Sequence, residues 1–126
     1  MRKVFMCWSK DEKEVLARYV DSGLINMPRK LVGEYGFYLG DLTPEITIKL
    51  YASFHDTSIQ FEQSHFIHTP VQAGAYQTSR PWNDNVSAAI NQVIHGLTDH
   101  YQAAVKNGHT PEDSWLVPNP KFGLTK

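Results

Sequence analysis

The 126-residue chain carries 12 lysines and arginines against 13 aspartates and glutamates, a formal net charge of -1, and that length builds one domain able to bury about two-thirds of its unfolded surface. An apolar share of 41% excludes an intrinsically disordered chain. No apolar run approaches the ~20 residues of a membrane span, and MRKVFMCWSKDE meets charge too early for a signal peptide, so a single cytoplasmic domain over 1–126 without a membrane partner is expected.

In chain order, residues 3–8, KVFMCW, predict a short buried strand. The lone Cys7, between Met6 and Trp8, has no partner for an internal disulfide and reads as a small buried hydrophobe. Ser9 and Glu12 stand at capping-box spacing, each side chain able to satisfy the other's free amide, so a helix follows. Val15, Leu16, Tyr19 and Val20 share one face of that helix, which is expected to cover a sheet, and Gly23 offers its stop. Tyr35, Phe37 and Leu39 alternate in the next strand, and the turn at 40–44 leads to the clearest alternation in the chain. There Ile46, Ile48, Leu50, Ala52 and Phe54 point one way, while Thr47, Lys49, Tyr51 and Ser53 point the other. HDTS at 55–58 is a hairpin tip, and IQFEQSHFIHT returns antiparallel.

The returning strand changes parity. Ile59 and Phe61 share a face, yet the next large apolar residues, Phe66 and Ile67, are neighbours and face opposite ways. Either both faces are covered near the strand's end, or a bulge around Gln63 and Ser64 re-aims it. His65 and His68 lie past that point and face opposite ways in an unbroken strand, so their spacing is a weak zinc signal; no metal and no cofactor are expected. From Pro70 to Asn83 neither helical nor strand period is present, and an aperiodic stretch of that length in a compact domain is commonly functional. It carries Tyr76, Arg80 and Trp82, which with His65 and His68 make the candidate ligand-binding set.

Asn83, Asp84 and Asn85 are competent caps for a helix over about 84–106, whose core stripe is Val86, Ile90, Val93, Leu97, Tyr101 and Ala104. His95 and Asp99, four apart on the opposite face, read as solvated surface rather than as a metal or acid-base pair. Residues 108–126 form an extended tail in which Trp115, Leu116, Val117 and Phe122 need a surface to cover, either on the domain or on a partner subunit; a homodimer is expected.

The order is β-α-β-β-β-α plus tail: an α+β fold, a small antiparallel sheet of three to four strands with two helices packed mainly on one face. KVFMCWSKDE looks like the opening strand and helix start of a TIR domain, but the alternating strands and helices that such a domain requires do not follow. The α-β-β-β-α order is similar to that of a double-stranded RNA-binding domain. This chain has Asp84 where a lysine cluster would open the second helix, and Arg80 is its sole lysine or arginine between 50 and 105, so no nucleic-acid partner is expected. Between Asp56 and Lys106 only Glu62, Arg80, Asp84 and Asp99 carry formal charge among many uncharged polar and aromatic residues, a mixture that suits a small-molecule pocket or a protein interface. The expected function is therefore a small binding module of bacterial type, for an uncharged or weakly anionic ligand in a cleft between the sheet and the 70–83 loop. Two alternatives stand beside it: a hydrolase or isomerase with a histidine base and Arg80, and an inhibitor or interaction protein.

Overall fold

The computed structural model describes residues 7–123, so most of the strand expected over 3–8 lies outside the described residues. Strands β1 (Arg29–Phe37), β2 (Ile46–Ser53), β3 (Ile59–Gln63) and β5 (Trp82–Asn83) form an antiparallel sheet in the order β1-β2-β3-β5. A second, two-stranded sheet pairs β4 (His65–Ile67) with β6 (Leu116–Pro118). With the helices α1 (Lys10–Asp21) and α2 (Val86–Lys106), the fold is α+β. Among the described residues no helix is long and apolar enough to cross a membrane.

The alternation of β2 sets the core. Ile46, Ile48 and Leu50 are fully buried, and α2 lays Ala89, Val93 and Leu97 into the same hydrophobic cluster. Asn85 caps α2 by accepting the Ala88 amide at 2.8 Å. The other face of β2 carries Thr47, Lys49 and Tyr51, all part-exposed.

α1 begins as its capping box predicts, with the Glu12 amide on Ser9 Oγ at 3.0 Å and the Ser9 amide on Glu12 Oε1 at 2.8 Å. Its apolar side, however, buries no residue: Val15 and Tyr19 keep 48% and 47% of their surface. The reason is that α2 already fills the buried face of β2, while α1 is tied by its first turn. Lys30 bridges to Glu12 at 3.0 Å, Lys13 Nζ reaches the Phe54 carbonyl at 2.8 Å, and the Trp8 indole N–H reaches the Ser53 carbonyl at 3.0 Å.

The tail is covered by its own chain. Trp115 and Leu116 are buried, β6 pairs with β4, and Phe122 lies 5.2 Å below the Lys49 ammonium. Of the tail's apolar residues, Trp115 and Leu116 are thus taken up by the domain, while Val117 and Phe122 stay part-exposed.

Just past β4, Thr69 retains 2% of its surface, and its hydroxyl has no partner among the described residues. A buried hydroxyl without a bond costs about 1–3 kcal/mol. Thr69→Val, nearly isosteric, is expected to raise stability by about 1 kcal/mol or more in urea unfolding; a loss of stability would mean the hydroxyl is satisfied in solution.

Candidate functional site

The parity change in the returning strand has a structural cause at Ser64. The Ser64 amide donates to the Thr47 carbonyl at 2.9 Å, the Thr47 amide donates back to Ser64 Oγ at 2.8 Å, and Ser64 Oγ lies 2.8 Å from His65 Nδ1. Ser64 Oγ, which accepts from Thr47, keeps a proton and a second lone pair, so it can donate to or accept from Nδ1 according to the His65 tautomer. Beyond this point the chain leaves β2 and pairs with β6, so Ile67 turns into the core while Phe66 faces the other way. Both sides of the strand end are in use.

The candidate residues divide into three places. His65 is held at the bend, where burial lowers its pKa from 6.5. His68 is exposed, and its amide donates to the Trp115 carbonyl at 2.8 Å. Tyr76 docks on α2: its amide binds the Ile67 carbonyl at 2.9 Å, its ring centroid is 5.0 Å from that of His100, and it passes so close to Gly96 that a Cβ there would stand 2.9 Å from the ring. Arg80 and Trp82 form the third group, at the far end of β3. Trp82 pairs with Gln60 across the sheet, the Arg80 guanidinium lies 4.5 Å from the indole centroid, and the Arg80 carbonyl accepts from Gln92 Nε2 at 3.0 Å. Tyr76 thus meets the end of β4, whereas Trp82 pairs at the beginning of β3.

A cleft of about 410 Å³ opens beside Trp82, on the sheet face away from α2. Its floor is Gln60 and Glu62 of β3, and its walls are Phe66, Pro81, Trp82 and Pro120. This is a space between the sheet and the second half of the 70–83 loop, closed at one end by the tail. Tyr51 donates its hydroxyl to Glu62 Oε1 at 3.1 Å, and Arg29 stacks 3.7 Å over the Tyr51 ring. Burial first, then the bond to Glu62, raises the Tyr51 pKa and keeps the phenol a donor. The Gln60 carboxamide bonds to no other described residue and remains available. Neither His65 nor His68 lines this cleft.

Reasoning from sequence missed Gln60, Glu62, Phe66 and the tail. The first two were readable, since alternation with Ile59 and Phe61 places them on the polar side of β3. The tail's arrival beside them, with Asn119 Nδ2 donating to the Gln63 carbonyl at 2.9 Å, has no local signal.

A larger space of about 660 Å³ lies between Trp8, the hairpin tip and the start of α2. Several of its polar groups are engaged within the fold: Asp56 accepts from the Ser58 amide, Lys13 binds the Phe54 carbonyl and Asn85 caps α2. His95 and Asp99 stand 3.6 Å apart on open surface, and among the described residues no three His, Cys, Asp or Glu side chains converge as metal ligands.

No known protein family, curated protein or solved structure matches the chain. The functional reading therefore rests on the cleft itself.

The environment of His65 carries a pH expectation. Its folded pKa is lowered, so the unfolded chain binds its proton more tightly, and stability present above about pH 6.5 is lost as pH falls through the folded value. Glu12, Asp56 and Asp113 also have lowered pKa values, chiefly through hydrogen bonds from Ser9, Ser58 and Thr43, but they withdraw stability only below about pH 4.5. Melting temperature is expected to decline in two stages on acidification, with His65→Gln flattening the first alone. An unchanged first stage in that variant would assign it to another histidine.

Proposed function

We propose that the chain is a non-enzymatic binding module for a small uncharged or weakly anionic molecule, held in the cleft beside Trp82. One observation carries this reading: Trp82 keeps 39% of its surface on a two-residue strand, directly across from Gln60, whose side chain has no partner among the described residues. A large indole left open on a fixed backbone, with a polar group opposite, is how small-molecule sites combine contact area with orientation. The cleft volume of about 410 Å³ falls within the usual range of such sites. The hydrolase or isomerase alternative gains no such support, because none of His65, His68 and Arg80 lines the cleft.

The test is a thermal-shift screen against a panel of metabolites, repeated with Trp82→Ala. A ligand at a hundredfold excess over its Kd adds about 2.7 kcal/mol to the native state, an increase expected for the natural chain and absent in the variant. A stabilising ligand whose effect survives unchanged in Trp82→Ala overturns this assignment of the site.

A second reading, an interaction protein or homodimer, has its own observation: the open side of α1, continued by the exposed Leu24 and Met27. Light scattering at micromolar concentration checks it. A monomeric mass that Tyr19→Glu leaves unchanged removes the homodimer.

A further inference from the structure

We infer that the ligand is a nucleoside or nucleoside monophosphate whose base stacks on the cleft side of Trp82. The inference rests on the cleft being a ligand site, as proposed above, and it draws on how each face of the cleft is already occupied.

The two faces of the indole differ. Arg80 lies over one, 4.5 Å from the centroid, and lines a small recess behind Trp82 without lining the cleft, so the cleft side is the open one. A cation fixed against one face draws on the ring's π density, so a second cation gains less from the other face. The same polarisation weakens its pull on the partly positive C–H face of a sugar. A flat aromatic ring, held mainly by dispersion over a large contact area, loses least.

Gln60 stands across the strands from Trp82, and Gln77 lines the same cleft. Neither side chain bonds to another described residue. A carboxamide presents an acceptor beside two donors, which is the arrangement that the edge of a nucleobase, with its own neighbouring donors and acceptors, satisfies while its face is stacked. Finally, the exposed Lys121 lines the cleft. Its ammonium can donate charge-assisted hydrogen bonds to one phosphate of a monophosphate.

Titration calorimetry and saturation-transfer NMR on the full chain, with the common nucleoside monophosphates, their nucleosides, glucose and a short oligothymidylate, test this. At least one nucleotide or nucleoside is expected to bind, with saturation transfer strongest at the base protons. Trp82→Ala should weaken it about tenfold or more, and Trp82→Phe should keep most of the affinity. Gln60→Ala should cost about fivefold and change the preference among bases, whereas His95→Ala should leave binding as it was; circular dichroism checks that each variant is folded. Glucose binding that depends on Trp82, with no response to any nucleotide, overturns the nucleotide assignment and leaves the cleft as a ligand site. Binding of the oligonucleotide alone overturns it too, because backbone charge would then carry recognition. No binding by any of these probes overturns the nucleotide assignment, and the wider metabolite screen then decides whether the cleft is a site at all.

Discussion

Trp115→Ala is expected to cost about 3–5 kcal/mol, the range for removing a large buried aromatic side chain, and so a large part of the 5–15 kcal/mol that holds a domain of this size together. Trp115 keeps 3% of its surface and meets Tyr101 of α2 edge-on with centroids 5.8 Å apart. Its backbone carbonyl also takes the His68 amide, so the residue fastens the start of β6 both to α2 and to the end of β4. Truncation after Gly108 would remove all of this together with Leu116, and that shorter chain is expected not to fold. Trp82→Ala, at a half-open position, should cost well under 1 kcal/mol by contrast. Urea unfolding midpoints measure both. A loss below about 1 kcal/mol for Trp115→Ala would mean the tail is not part of the core.

Those features of the fold that depend on local pattern were legible in the sequence. The capping box at Ser9 and Glu12, the alternation from Ile46 to Ala52, the hairpin at 55–58 and the stripe of α2 all stand where their spacing put them. What failed to be legible was which surface each apolar face meets. The α1 stripe of Val15, Leu16, Tyr19 and Val20 is as good a core pattern as that of α2, yet the buried face of β2 holds one long helix, and the competition is settled by tertiary packing that periodicity does not encode. The tail shows the same limit. Pro118 and Pro120 announced an extended chain, but that it would become β6 depended on β4 swinging away from β2 at Ser64, leaving an edge for it to pair with.

The site was legible in part. The long aperiodic segment drew attention to the loop, and Trp82 at its end lines a cleft. The histidines lie apart from that cleft: His65 contacts Ser64 at a bend, and His68 follows a strand end. Gln60 drew no notice since an isolated glutamine on the polar side of a strand is commonplace. Only the cross-strand pairing with Trp82 gives it a role, and that pairing joins positions 22 residues apart through a loop without periodicity.

Ile48→Ala is expected to cost about 2–5 kcal/mol, the usual range for truncating a buried isoleucine, and the expectation follows from its place in β2. Ile48 has 0% of its surface exposed, in the middle of a strand flanked on both sides, with Tyr35 opposite it on β1 and Gln63 opposite it on β3. Neither neighbour can fill the space. Tyr35 is itself largely exposed, and the Gln63 side chain is drawn off to the His65 carbonyl at 2.8 Å. The cavity would therefore persist, and its unrelaxed volume adds to the lost transfer energy of the removed methyl groups. Alanine is also a poorer strand former than isoleucine, which adds to the cost at a central position. Lys49→Ala, one residue on and facing away from α2, should by the same geometry cost under about 1 kcal/mol, most of it the contact with Phe122. The comparison tests the register directly, because a shift of one residue exchanges the two faces. Equal losses for the two variants in chemical unfolding would place β2 in a different register, and with it would go the assignment of Gln60 and Trp82 to the open side of the sheet.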